Sequence, residues 1–524
     1  MRNNTTRKFA CLALCAMAAI VSRSDTFPNA GGDIADTSPD GWDDAVPSVV
    51  TLDKTGTYTV GSDISLTQMI LGGGDVTFDL ADPSSGKVTL NPSTTKSDGF
   101  YISNVGNYTT NYIKGGVWDF SKKASFGITK RSTTTGNAKY ASLTVSDGAV
   151  ITNCYDVKVA YCAGPCNNQL ILTGIGTTVH VSSDPVKVSQ YAGNADGIKA
   201  SLQILDGASI LYPGRVLYTD DGGATATAVS HVDCSVIVSG VGSLLSGSKL
   251  NLGGKYRAGA TASIGNGASL QLTSSVYIGE NEFSSDCCVF ITNNATASVY
   301  GVYVANAANS HGHCLTVADC GTLTCSDMIY LGSAGSYENS VIISNANVSC
   351  RTFRFMPSES NTLHVCGSDA TLTCESLYFG SSGAATNAAV VLGGKSPAIV
   401  VNGSDGSNGV ISYGNIASTG TVTFRVPAGG YTSTPFSFTG SANFRAGIAL
   451  DVDLTECLAC GKRSAFQSTL VQSGGTLTLA QLAAAQASVT AQLEAADCKG
   501  SLEQVGNSLV LTVKPREGFA IIFK

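Results

Sequence analysis

Short apolar-x-apolar pairs recur along most of this chain, each with one residue between its two apolar members. Alternation with a period of two predicts β-strands that bury one face. Ten pairs occur, at a mean interval of about 27 residues, which indicates an internal repeat. They are Leu143/Val145, Leu170/Leu172, Leu202/Ile204, Val236/Val238, Ala262/Ile264, Val289/Ile291, Leu315/Val317, Val341/Ile343, Leu363/Val365 and Ala389/Val391.

A tight turn and further short apolar stretches follow most of these pairs. Turn sequences such as Asp147-Gly148, Asp206-Gly207 and Asn266-Gly267 tolerate the positive φ angles of sharp corners. One repeat cannot bury its own apolar face, but stacked repeats can. The pattern therefore predicts an all-β fold, a parallel β-helix with about ten or more coils of about 27 residues. A β-propeller is the rival architecture, but its blades usually need about 40 residues or more.

The Gly- and Thr-rich irregular repeats resemble those of right-handed parallel β-helix proteins, the pectin-lyase-like group, over about residues 50–425. They are most similar to autotransporter-passenger and adhesin solenoids. The segment Gly115-Gly116-Val117-Trp118-Asp119 resembles an early coil of polysaccharide-active β-helices. This resemblance implies a right-handed solenoid with a binding or polysaccharide-directed role. We expect no membrane barrel, because the residues after 425 include a predicted helix and leave little room for eight strands of about ten residues.

The chain divides into four predicted parts. Residues 1–24 have the charged start, the apolar run and the small residues of a secretory signal peptide. Residues 25–140 form a lead-in, a cap and the first irregular coils, and residues 141–425 form the regular coils. Residues 426–524 form a C-terminal β/α cap with one helix at about 479–496, because Thr478 and Gln481 fit a capping box. The signal predicts a secreted or cell-surface protein without a transmembrane segment after its removal.

The composition narrows the classes of partner. Only 13% of the 524 residues are charged, the net charge is −7 and the pI is about 5.3. An acidic chain without a long basic stretch is not expected to bind nucleic acid. Removal of the signal leaves 15 of the 17 cysteines, so at least one thiol stays free or pairs between chains. The cysteine and histidine spacings predict no metal site and no cofactor.

The third strand of each repeat predicts an outward-facing row. Its flanking apolar residues face the core, so the residue between them faces solvent. The row is predicted as Lys158, Lys187, Leu217, Asn251, Tyr277, Tyr303, Tyr330, Arg354 and Tyr378. Its last five members are the candidate binding residues, because exposed tyrosines stack on sugars or anchor protein partners. The alternative is that these side chains stack on one another and bind nothing.

Loops that follow the third strand carry most of the charge of the repeats and suggest a catalytic alternative. Asp220 and Asp221 could act as an acid/base pair or hold Ca²⁺, with Arg257 one coil away as a base or charge clamp. The resemblance to polysaccharide lyases and hydrolases that use acidic residues on an outer face implies the same chemistry. The opposing interpretation is that charges in neighbouring loops form weak surface ion pairs.

Two further groups stand out. Cys325, Cys350 and Cys374 occupy nearly the same place in three successive coils, so they form either disulfides or a ladder of packed thiols. A local basic patch could meet an acidic glycan or surface, and the alternative interpretation is a solvated loop. Its members are Lys114, Lys122, Lys123, Lys130, Arg131 and Lys139.

Together these features favour an exported β-solenoid with an adhesin-like binding or display role, and a glycan or cell-surface component as its partner. One alternative is a polysaccharide lyase or glycoside hydrolase. A second alternative is a purely structural surface-layer protein. The sequence favours a non-enzymatic role over catalysis, and it leaves both functions open.

Overall fold

The computed structural model describes residues 24–36, 47–72, 74–95, 97–103, 108–129, 139–161, 165–191, 197–222, 230–380, 383–403, 409–411, 417–459 and 465–515. Strands dominate these residues, and almost all of them pair in parallel. The predicted all-β class is therefore confirmed, and the large parallel sheets are consistent with a β-solenoid. The predicted signal peptide lies, except for Ser24, outside the described residues.

The first 23 strands lie before the middle of the chain. In order, β1 to β23 are Ser24–Thr26, Gly32–Asp33, Val49–Leu52, Gly56–Thr59, Ile64–Leu66, Gln68–Leu71, Val76–Leu80, Val88–Leu90, Ser97–Ile102, Thr109–Gly115, Val117–Asp119, Ala124–Gly127, Tyr140–Ser146, Val150–Cys154, Val157–Ala160, Cys166–Thr173, Thr178–Val181, Val186–Tyr191, Ile198–Leu205, Ser209–Gly222, Ser230–Ser239, Leu244–Leu252 and Arg257–Ala258.

The remaining strands and two helices complete the described chain. Strands β24 to β47 are Thr261–Gly265, Ser269–Leu272, Ser275–Ile278, Cys288–Ile291, Thr296–Val299, Gly301–Val304, Cys314–Ala318, Thr322–Cys325, Met328–Leu331, Ser340–Ser344, Asn347–Phe355, Thr362–Cys366, Thr371–Phe379, Ala388–Gly393, Ala398–Val401, Gly409–Ile411, Gly420–Arg425, Phe436–Phe438, Ala442–Phe444, Ile448–Asp453, Phe466–Ser473, Leu477–Leu479, Cys498–Val505 and Ser508–Pro515. The helices are α1, Thr455–Ala459, and α2, Leu482–Ala495.

Each regular repeat contributes strands to three parallel ladders. In one repeat, β27 belongs to the first ladder, β28 to the second and β29 to the third, and each pairs with its counterpart in the following repeat, β30, β31 and β32. Left-handed residues such as Asp147, Asp206 and Asn266 turn the chain between the first and second ladders. Because side chains alternate across a strand, every second residue enters one continuous apolar core.

The register confirms most of the predicted inward pairs and corrects two positions. Leu143 lies opposite Leu170, and this series continues through Val341 and Leu363. The tenth inward pair is Val390 and Leu392, not Ala389 and Val391, because these are the residues opposite Leu363 and Val365. In the third ladder the outward residue is Tyr218, opposite Lys187, while the predicted Leu217 is buried. A shift of one residue exchanges the two faces of a strand.

Parallel pairing extends beyond residues 141–425 on both sides. β1 already pairs with β3, and β40 pairs with β43 near the C-terminal end. The helix α2 begins at Leu482, and Gln481 at its N-cap makes no side-chain capping bond, so the predicted capping box is wrong. Thr478 instead lies in β45 and pairs with Asn443 of β42.

The C-terminal strands reverse direction. β47 pairs antiparallel with β44 and with β46. Gln486 of α2 donates to the Leu502 carbonyl of β46 across 2.9 Å. Within the described residues, neither helix is long and apolar enough to cross a membrane.

Candidate functional site

The third ladder aligns the five candidate binding residues in one row. Tyr277 lies opposite Tyr303, Tyr303 opposite Tyr330, Tyr330 opposite Arg354 and Arg354 opposite Tyr378. All five side chains are partly exposed. Their inward neighbours, such as Val302 and Val304, are buried, which fixes the row on the outer face. The sequence therefore predicted the membership and the order of this tyrosine–arginine row.

The side chains of the row also stack on one another. The rings of Tyr277 and Tyr303 are 4.6 Å apart at 6°, and Tyr330 meets Tyr303 edge to face at 5.4 Å. The Arg354 guanidinium lies between Tyr330 and Tyr378, at 5.5 and 5.0 Å from the ring centres. The ring faces of Tyr277 and Tyr303 therefore point along the ladder, and their edges point outward.

Lys249 covers the remaining face of Tyr277. Its Nζ lies 3.8 Å from the ring centre and comes from the repeat before Tyr277, whereas Tyr303 comes from the repeat after it. Glu280 binds the same ammonium at 2.5 Å and also accepts a hydrogen bond from Asn251. Lys249 was not among the predicted site residues, although its place two residues before Asn251 on an alternating strand could have indicated it.

The hydroxyl of Tyr303 stays protonated at neutral pH. Burial, followed by the neighbouring Tyr277 and Tyr330, raises the pKa of Tyr303 to about 12. A protonated phenol both donates and accepts hydrogen bonds. Tyr303 therefore offers a neutral hydroxyl group at the centre of the stacked tyrosines.

A second cluster lies beside the row. Tyr300, 49% exposed, forms a hydrogen bond with Asp327 that raises the pKa of the phenol. Asp327 is largely buried and accepts from Arg351 at 2.5 Å. The buried carboxylate thus holds one exposed ring and one exposed guanidinium at the border of the tyrosine–arginine row.

The loops that follow the third ladder carry the predicted concentration of charge, and together they are called the ridge. Much of the charge of the ridge is internally paired. Lys255 contacts Glu282 at 3.1 Å, and Lys249 contacts Glu280. His311 stacks on Tyr337 at 4.7 Å and 4°. These contacts agree with the interpretation that neighbouring loops form surface ion pairs, which contribute little stability when exposed.

Of the three catalytic candidates, Asp220 is the one whose side chain the structure describes. Asp220 lies opposite Ser189 and is only 2% exposed. Burial, followed in smaller part by the carboxylates of Asp220 and Asp286, raises the pKa of Cys287 to about 12, so Asp220 lies near an interior thiol. The side chains of Asp221 and Arg257 lie outside the described parts of the structure. The described residues contain no cluster of three or more side chains suited to a metal ion.

Two of the three cysteines predicted to form a disulfide or thiol ladder lie directly opposite each other. Cys350 lies opposite Cys374, and both are buried, as is Cys325 one repeat earlier. The Cys325 thiol lies 3.2 Å from each of the Tyr300 and Met328 carbonyls. All cysteines within the described residues are free thiols, so this ladder packs as thiols rather than disulfides.

The described members of the basic patch are spread over different sides of a repeat. Lys114 lies in β10 of the first ladder, and Lys139 directly precedes β13 of the same ladder. Lys122 and Lys123 lie in the turn between β11 of the second ladder and β12 of the third. Lys130 and Arg131 lie outside the described residues.

A buried polar column lines the start of the first ladder. Cys287 donates its N–H to His313 Nδ1 at 3.1 Å, and the His313 N–H donates to Asn339 Oδ1 at 3.0 Å. The Asn339 N–H donates in turn to Asn361 Oδ1 at 2.9 Å. These side chains satisfy backbone groups where the loops enter the core. His313 belongs to the loop between β29 of the third ladder and β30 of the first, and its interior position was not foreseen.

Acid should destabilise the protein through His313. Burial lowers the pKa of His313 to about 4, against about 6.5 in an unfolded chain. Between these values the unfolded chain binds the proton and the folded chain does not. The contribution of His313 is therefore complete above pH 6.5 and falls by about 3 kcal/mol as the pH drops to about 4. Urea unfolding between pH 7 and 4 measures this loss.

The matched control is His313→Asn, because asparagine already occupies the equivalent positions 339 and 361. This variant should lose less stability between pH 6.5 and 4 than the wild type. Equal pH slopes for the two proteins would show that His313 does not titrate in this range.

Comparison with known proteins identified no similar protein. The chain matches no protein-family model, and neither curated proteins nor solved structures match it. The residues of the chain itself are therefore the only guide to its function.

Proposed function

We propose that this protein is an exported, right-handed parallel β-helix of the pectin-lyase-like type, with about ten or more coils. Its parallel ladders and its repeat length support this fold, and the apolar N-terminal run supports export. At the cell surface or in the secreted fraction it serves as an adhesin-like protein that binds a glycan. The tyrosine–arginine row is the binding surface.

The observation that carries this function is the register of the row. Five partly exposed side chains, Tyr277, Tyr303, Tyr330, Arg354 and Tyr378, follow one another at the strand spacing of about 4.8 Å. Four phenol groups and one guanidinium then form a linear series of hydrogen-bonding groups along the stack. An extended, polyhydroxylated polymer can lie along such a series and contact several repeats at once.

The stacking of the row indicates how the glycan is held. Lys249 covers one face of the Tyr277 ring and Tyr303 covers the other, so neither face is open for a sugar ring to stack on. Contact is instead made through the ring edges, the phenol hydroxyls and the Arg354 guanidinium. Stacking fixes these groups before binding, and preorganisation reduces the entropy lost on association.

Removing the four hydroxyls while keeping the rings tests this mode of binding. The quadruple variant Tyr277→Phe, Tyr303→Phe, Tyr330→Phe and Tyr378→Phe preserves stacking but cannot donate hydrogen bonds. At about 0.5–1.5 kcal/mol for each bond, we expect glycan affinity to fall at least about tenfold. Retention on a glycan array, followed by titration of the best ligand, measures the effect.

Tyr337→Phe is the matched control, because it removes an exposed phenol hydroxyl from the ridge rather than from the row. Unchanged affinity of the quadruple variant would rule out binding through the hydroxyls. Release of shortened glycan by the wild type would support the lyase or hydrolase alternative. Ordered polymers of the purified chain without glycan binding would support the surface-layer alternative.

A further inference from the structure

One pair of cysteines lies on the solvent side of the first ladder. Cys288 of β27 lies opposite Cys314 of β30, and both side chains are partly exposed. The residues that follow them, Val289 and Leu315, are buried, so both thiols point away from the core. The buried pair Cys350 and Cys374 has the same register but lacks this exposure.

The two thiols are close enough to react with each other. Residues opposite each other in parallel strands are separated by about 4.8 Å, within the Cα range of about 4.4–6.8 Å that disulfides require. The thiols also share a hydrogen bond, which lowers the pKa of Cys314 and raises the pKa of Cys288. Thr316 Oγ1, 3.2 Å from Cys314 Sγ, helps to stabilise a thiolate there.

We propose that Cys288 and Cys314 form a surface thiol–disulfide exchange site that accepts a low-molecular-weight disulfide. The Cys314 thiolate attacks one sulfur of the disulfide, forms a mixed disulfide and expels one thiolate, which takes a proton from water. Cys288 then loses its proton and attacks Cys314 Sγ, which expels the second thiolate. The protein dithiol is oxidised to one disulfide, and the small disulfide is reduced to two thiols.

The roles of the two residues follow from their surroundings. Cys314 has hydroxyl and thiol partners that stabilise a negative charge, so it is the attacking sulfur. Cys288 is the resolving sulfur, because it is the nearest thiol on the same outer face. Ser340 occupies the next position in this column, opposite Cys314, so serine fits there without disturbing the core.

The experiment follows the oxidation of individual cysteines in the full chain. The reduced protein is exposed to oxidised glutathione, and the remaining thiols are trapped with N-ethylmaleimide before peptide mapping by mass spectrometry. We expect a Cys288–Cys314 disulfide to form at least about tenfold faster than any product at the buried cysteines. Cys288→Ser should accumulate glutathione on Cys314, and Cys314→Ser should remove the fast phase.

The matched control is Cys350→Ser, which changes a buried cysteine of the other register pair and should leave the fast phase intact. Equal rates at buried and outer cysteines would overturn the proposal. So would a Cys288→Ser variant that accumulates no mixed disulfide on Cys314. Circular dichroism of each variant separates loss of reactivity from loss of folding.

Discussion

Replacing Trp118 by alanine should destabilise the N-terminal repeats by about 3–5 kcal/mol. The indole is fully buried and meets the edges of two phenyl rings, Phe78 at 5.2 Å and Phe100 at 6.2 Å. It thereby joins strands from two successive repeats, β7 and β9 of one repeat and β11 of the next. Alanine would leave a large cavity among these rings, and close-packed neighbours fill such a cavity only in part.

Hydrogen exchange is the appropriate measurement for Trp118→Ala, because stacked repeats need not unfold as one unit. Protection should fall in β7 and β9 while β37, far along the stack, keeps its protection. Trp118→Phe is the control and should cost clearly less. Phenylalanine keeps an aromatic ring in the core. Loss of the indole N–H breaks no hydrogen bond, because this group has no partner within the described residues. A uniform loss of protection along the chain would contradict local packing as the cause.

Replacing Lys158 by alanine should destabilise the protein by a similar amount, about 3–5 kcal/mol. Lys158 was predicted to face solvent, yet it is 4% exposed and lies 3.9 Å from Asp156, which is 1% exposed. Its ammonium also lies 5.4 Å from the Tyr161 ring centre. Removal of the cation would leave a buried carboxylate without this partner, which costs more than the net contribution of the pair.

Lys187→Ala provides the comparison for Lys158→Ala. Lys187 lies directly opposite Lys158 in the same column but is partly exposed, so its loss should cost no more than about 1 kcal/mol. Urea unfolding at pH 7 and hydrogen exchange of β15 measure both variants. Similar values for the two lysines would mean that the buried pair makes no special contribution. Replacing Lys158 by methionine and Asp156 by leucine together should recover most of the lost stability.

The sequence predicted the repeat because alternation of period two is strong where polar residues separate the apolar ones. It failed where that contrast disappears. In Ala388–Gly393 the first five residues are all apolar, so the pattern does not show which alternate residues face the core. The inward residues are one position later than predicted. The error at Leu217 has the same origin, since Val216, Leu217 and Tyr218 are all hydrophobic.

Long-range pairing explains the other differences. Leu477–Leu479 begins a segment with helical propensity, yet it pairs with Ala442–Phe444 and delays the helix to Leu482. The row from Tyr277 to Tyr378 could be predicted, because register alone determines which residues are neighbours. Two features could not be predicted in this way: Lys249 covers Tyr277, and Lys158 is buried. Both depend on the directions of side chains, which residues from other repeats determine. The alternation of apolar and polar residues carries no information about these directions.

The antiparallel strands at the C-terminal end limit how copies of this protein can join. A parallel ladder that ended at β44 could accept the first strand of a second molecule and continue as a fibre. β47 occupies that edge with reversed polarity, and β46 follows it in the same antiparallel arrangement. Continued parallel pairing is therefore blocked at this edge of β44. Copies of this protein should therefore not form fibres by extending this ladder.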